Sequence, residues 1–219
     1  KDFKYITVKQ PGRNMGKETA LQGEVLKWIK DNTPRTLKNK GIFCSGLEEN
    51  LQEANSLLPQ IYCDMDEVLV AFLDGTEKVL GRRYNDKSWK NSDEKKAQLN
   101  KNAPNFFRDL NWMKDGKTLW KFIRGHGAKI LSAYPQKWMP KAKGDKAQWI
   151  KKNLGISSSR VHLVARTDKQ KFAVNEKGQP NILIDDHPKN IKEWRAKGGV
   201  GIVHRSTSET ISKLKKMGF

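Results

Sequence analysis

Cysteine is scarce in this 219-residue chain, where only Cys44 and Cys63 occur. So thin a supply argues against a disulfide framework and fits a reducing compartment. Both thiols read as core packing. No apolar run approaches the length of a membrane span, and no leader-like pattern opens the chain, so the expectation is a soluble, cytoplasmic protein with no membrane partner. Negative charge is short too: 24 Asp and Glu stand against 43 Lys and Arg, a net +19. That balance predicts attraction to anionic partners, nucleic acid among them. No internal repeat or low-complexity tract is visible, and the length suits one domain with an insertion or an extension.

The few acidic residues are concentrated. Ile61 to Leu80 carries −4, whereas Gly81 to Lys129 and Ile130 to Lys171 carry +8 each. Within the acidic stretch lies IYCDMDEVLVAF, Ile61 to Phe72, where a β-prone run delivers Asp64 and Asp66. Residues two apart on an extended strand face the same side. Two carboxylates held that close repel unless a cation, a shared proton or a chemical task compensates. On its own such a pair also fits a turn or a solvated strand end. Most of the lysines downstream read as solvated helix faces.

The pattern along the chain supplies the frame. Residues 1–60 begin with a short strand, Phe3 to Val8, and continue with apolar stripes from Glu18 to Ile29 and Ser45 to Leu58, the second opened by a Ser45/Glu48 capping box. Gly12 to Lys17 looks like a phosphate-binding loop but is one residue too short between its glycines, with Glu18 where a hydroxyl belongs, and is rejected as a nucleotide site. After the aspartate strand, residues 73–127 read as a basic helical cap insertion with helices near Asp93 to Asn100, Asn105 to Leu110 and Lys117 to Arg124. Strands then alternate with helices: AKILSA through Ser132, a helix from Lys143 to Leu154, RVHLV, NILI opening onto Asp185 and Asp186, a helix from Pro188 to Lys197, VGIVH, and a helix reaching Met217. That alternation predicts an α/β fold with a Rossmann-like parallel sheet, built from residues 61–72 and 128–219.

Strand-Asp64-x-Asp66, strand-Ser132, a lysine near a strand and strand-Asp185-Asp186 together resemble the four motifs of the haloacid dehalogenase superfamily. Within it the chain is most similar to the small 5'(3')-deoxyribonucleotidases, through DMDEVLVAF, NFFRDL at Asn105 to Leu110, NILIDD at Asn181 to Asp186, Lys146 with Trp149, and Asp168-Lys169. The resemblance covers Ile61 to His204.

The resemblance implies a Mg²⁺-dependent phosphomonoesterase acting on nucleoside monophosphates. Asp64 would be the nucleophile that forms an aspartyl-phosphate, and Asp66 the general acid and then base. Asp64, the backbone carbonyl of Asp66, and Asp185 would hold Mg²⁺, with Asp186 orienting the metal's shell. Ser132 would hydrogen-bond the phosphate, and Lys169 and Lys146 compete for one role, neutralising the transferring group. Phe72 is the first choice for contact with a nucleobase, followed by Phe107 and Trp89, with Ala133 beside the phosphate or sugar. His187 and His204 read as a helix-start and a strand-end residue.

Three features depart from the family pattern. Glu67 stands where a glycine is usual and is expected to add a carboxylate beside the metal. Ala133 and Tyr134 replace a second hydroxyl and a proline. Residues 1–60 have no counterpart. Two rival readings follow from the charge and these departures: a phosphatase for nucleic-acid ends, and a basic nucleic-acid-binding protein on a catalytically retired phosphatase fold.

Overall fold

The computed structural model describes residues 58–219. The elements expected before Leu58, and Cys44, lie outside the described residues. Five strands form one sheet: β1 (Ile61–Cys63), β2 (Lys129–Ala133), β3 (Val161–Val164), β4 (Ile182–Asp185) and β5 (Val200–Val203). Their order is β3-β2-β1-β4-β5, and every pairing is parallel. Parallel strands covered on both faces read as near-continuous apolar runs, as IYC, KILSA and ILID do. The expected Rossmann-like α/β fold is what forms.

Helices α1 (Phe72–Leu80), α2 (Ser92–Asn102) and α3 (Gly116–Arg124) lie between β1 and β2, α4 (Ala142–Leu154) between β2 and β3, and α5 (Pro188–Ala196) between β4 and β5, while α6 (Thr207–Lys216) follows β5. Local chemistry sets their ends. Asn91 caps α2 by accepting from the N–H groups of Asp93 (3.0 Å) and Glu94 (2.8 Å). Pro188 opens α5, where its missing N–H costs nothing. On one sheet face, Tyr62, Leu131 and Leu183 pack with Ala173 and with Ile191 and Trp194 of α5.

Helix α1 is a correction to the sequence reading, which gave Leu73 to Leu80 no helix. Asp74-Gly75 looks like a turn signal. Gly75 is instead a close-packing residue, since a Cβ there would stand 2.5 Å from Leu110 Cδ2. The helix expected over Asn105 to Leu110 shrinks to one 3₁₀ turn, Phe106–Arg108, whose two phenylalanines are buried. β4 runs one residue further than NILI, so Asp185 is its last residue rather than the first one beyond it.

The two ends of the segment that carries α1 and α2 lie side by side. Ala71 N–H donates to Asn111 O (2.9 Å) and Met113 N–H to Leu69 O (2.8 Å). No helix among the described residues is long and apolar enough to cross a membrane.

Candidate active site

In the order β3-β2-β1-β4-β5 the connections diverge between β1 and β4, and the carboxyl ends of those two strands are where open α/β sheets form ligand crevices. The register puts the acidic residues there together. Cys63 pairs with Ile184, and Asp64 N–H donates to Ile184 O at 2.9 Å, so Asp64 and Asp185 leave adjacent strands at one level. Asp64, Asp185 and Asp186 each offer an oxygen within 4.8 Å of the others.

Two buried lysines close the site. Lys169, from the 3₁₀ segment Arg166–Phe172 after β3, lies 2.9 Å from Asp64 Oδ2 and 2.7 Å from Asp185 Oδ2. Lys146, from α4, donates to Asp66 Oδ2 (2.7 Å), Ser132 Oγ (2.9 Å) and the Ala133 carbonyl (2.8 Å). The sequence left these two lysines competing for one place. They divide it, one between Asp64 and Asp185 and the other between Asp66 and the β2 hydroxyl. Which carboxylate each lysine reaches depends on how its segment turns over the sheet.

Charge does not balance locally. Burial alone would raise the Asp64 carboxyl, but Lys169 and Lys146 outweigh it and hold it below its ordinary value. Asp66 is raised by burial and by Asp64, against the pull of Lys146. Asp186 is pushed up to about 7, first by burial and then by Asp64, Asp185, Asp66 and Glu67. Asp64 Oδ1 and Asp66 Oδ1 are buried without a hydrogen-bond partner among the described residues. Orphaned anionic oxygens are costly, and a cluster this negative suits a hard cation with oxygen ligands. The residues therefore fit Mg²⁺.

Sequence reasoning missed Asn190. From α5, its amide nitrogen sits 3.0 Å from both oxygens of Asp185, while its Oδ1 accepts from Arg166 (3.2 Å), itself held by Glu193 (2.7 Å). The His187 backbone N–H adds a bond of 2.9 Å to Asp185 Oδ1. The one available signal was Asn190's place in the first turn of a helix that starts three residues after Asp185. Glu67 adds its charge to that of the aspartates around Asp186, as expected, and has a second contact that the sequence did not show. Its Oε1 accepts the Leu73 N–H at 2.8 Å, so the side chain caps α1. His187 and His204 fall at a helix start and beyond a strand end, as read.

The aromatic residues separate into two groups. Phe72 stacks near Phe107 (6.0 Å, 17°) and meets Tyr84 and Phe106 edge-on, and the Phe107 ring lies 4.7 Å from Lys146 Nζ. Trp89 is held elsewhere, between α1 and α2: its indole N–H donates to Arg83 O (3.1 Å), and the Arg82 guanidinium lies 3.2 Å over its ring.

The sequence matches, over residues 58–214, the family described as 5' nucleotidase, deoxy (pyrimidine), cytosolic type C protein. No curated protein matches the chain. Among solved structures, a hydrolase from Streptococcus pneumoniae TIGR4 is similar at 11% identity and TM-score 0.40, covering 72% of this chain and 98% of its own. A HAD family hydrolase from Deinococcus radiodurans R1, with bound phosphate and sodium, is similar at 13% identity and TM-score 0.40, covering 74% of this chain and 96% of its own.

Proposed function

The chain belongs to this 5'-nucleotidase family and is a phosphatase of the haloacid dehalogenase class, and from that premise we propose that it hydrolyses deoxyribonucleoside monophosphates through an aspartyl-phosphate, with Mg²⁺ as cofactor. The observation that carries the reading is the meeting of Asp64, Asp66, Ser132, Lys146, Lys169 and Asp185 at one strand rim, where Asp64 Oδ1 is buried without a hydrogen-bond partner among the described residues. Asp64 Oδ1 bonds to phosphorus while the bond to the leaving oxygen breaks, and Asp66 gives that oxygen its proton. Asp66 then takes a proton from water, whose oxygen displaces Asp64 and releases inorganic phosphate. A carboxyl raised above its ordinary value suits that exchange.

Ser132 and Lys146 bind the phosphoryl oxygens from one side and Lys169 from the other. Asp64, the Asp66 backbone carbonyl, Asp185 and Asp186 would hold the Mg²⁺, which would supply positive charge to offset the anionic phosphoryl oxygens. Phe72, backed by the buried Phe107, forms the wall against which a base stacks, and Ala133 lies beside the phosphate. Trp89 serves to hold the insertion's own loop. The insertion acts as a cap that excludes water, joined to the rest through the paired backbone segments at 69–71 and 111–113. The family description is that of cytosolic proteins, and we assign this chain the same compartment.

The direct test is Asp64→Asn assayed for phosphate release from dUMP with Mg²⁺. Loss of turnover by at least about a thousandfold with an unchanged circular-dichroism spectrum is the expected result. Unchanged turnover removes the mechanism.

A further inference from the structure

Among the described residues, Glu67 is the one non-glycine with positive φ, at 54°. A side chain there is strained where glycine would not be, so the residue's presence calls for a task its side chain performs. The task is visible. Helix α1 has Ala71 at its N-cap position, which offers no side-chain acceptor. The Glu67 carboxylate supplies one from six residues upstream of Leu73, taking the Leu73 N–H at 2.8 Å and placing negative charge at the positive end of the helix. Glu67 N–H also donates to Val70 O at 2.9 Å, closing the loop on itself. The left-handed turn lets one residue adjoin Asp66 and still reach the helix whose first residue is Phe72.

We propose that Glu67 is a positioning residue that latches the catalytic loop to α1 and fixes the Phe72–Phe107 wall relative to Asp64. It thereby sets the preference for phosphate esters that carry a base. This rests on the nucleotidase reading. A substitution that only relieved backbone strain would help the protein. One that breaks the latch lets Phe72 drift, while Asp64 and Asp66 on the same loop stay held by Ile184 O of β4 and by Lys169 and Lys146.

The experiment compares wild type with Glu67→Gln, Glu67→Ala and Glu67→Gly on dUMP and on 2-deoxyribose 5-phosphate, which lacks a base. Glu67→Ala and Glu67→Gly are expected to raise KM for dUMP about tenfold, the worth of one charge-assisted hydrogen bond, with kcat and the KM for deoxyribose phosphate within about threefold. Glu67→Gln, which retains an acceptor oxygen, is expected to keep most of the dUMP preference. Equal losses on both substrates, a kcat collapse in every variant, or wild-type discrimination retained in Glu67→Ala overturns the latch. A wild-type enzyme that does not distinguish the two substrates overturns the nucleotidase reading itself, and the role of the wall with it.

Discussion

Replacing Lys169 by Met tests the charge balance of the site without relying on turnover. The ammonium is almost wholly buried, 2.9 Å from Asp64 and 2.7 Å from Asp185, and these carboxylates hold its pKa above the ordinary lysine value despite the burial that would lower it. Met keeps the apolar stem and removes the charge. Deleting one partner of a buried ion pair costs about 3–5 kcal/mol, because the other charge stays buried and unpaired. For a domain of this size that is roughly 6–20 °C in Tm. Without the ammonium both aspartates shift upward, so the folded variant takes up a proton at a higher pH than its unfolded chain does. The deficit is therefore largest near pH 7 or above and shrinks as pH falls toward the ordinary aspartate range of about 4. Mg²⁺ is expected to raise the variant's Tm more than the wild type's, since it meets the same uncompensated charge with no ammonium opposing it. Lys171→Met, which breaks only the exposed pair with Asp168, serves as the control and is expected to melt with wild type. If Lys169→Met without divalent ion at pH 7 melts within about 2 °C of wild type, the lysine does not balance these aspartates and the argument fails.

Other substitutions probe the surroundings. Asp186→Asn without divalent ion is expected to raise Tm at pH 8. That gain should vanish as pH falls from about 7, where the folded Asp186 takes up its proton, toward its ordinary range; a gain that grows on acidification refutes the assignment. Asn190→Ala leaves Asp185 short of donors and is expected to cost about 1–3 kcal/mol in urea denaturation, with weaker Mg²⁺ binding by calorimetry; full stability would mean that water replaces the amide. Gly116→Ala puts a Cβ 2.7 Å from the Leu69 carbonyl oxygen, a backbone atom that cannot swing aside, so a loss of about 1–3 kcal/mol is expected in the same assay. Turnover of dUMP that falls steeply between 50 and 200 mM salt, with phosphorylated oligonucleotides preferred over dUMP, would favour the nucleic-acid-end reading that the +19 charge invites.

The acidic centre was legible because its signal is local. Apolar β-prone runs ending in Asp64-x-Asp66, Ser132 and Asp185-Asp186 dictate strands that carry polar groups at one end, and parallel pairing brings those ends to one rim. The same alternation of strand and helix fixed the sheet. What failed locally failed for a tertiary reason: Gly75 imitates a turn until Leu110 and Phe106 are seen pressing on it, and only then does α1 make sense. The division of labour between Lys146 and Lys169, the reach of Asn190 from α5 to Asp185, and the bond of Glu67 to the Leu73 N–H are decided by contacts between residues whose separations no local pattern encodes. Side-chain periodicity sets which face a residue takes. Only the packing of one element over another sets which partner it meets there.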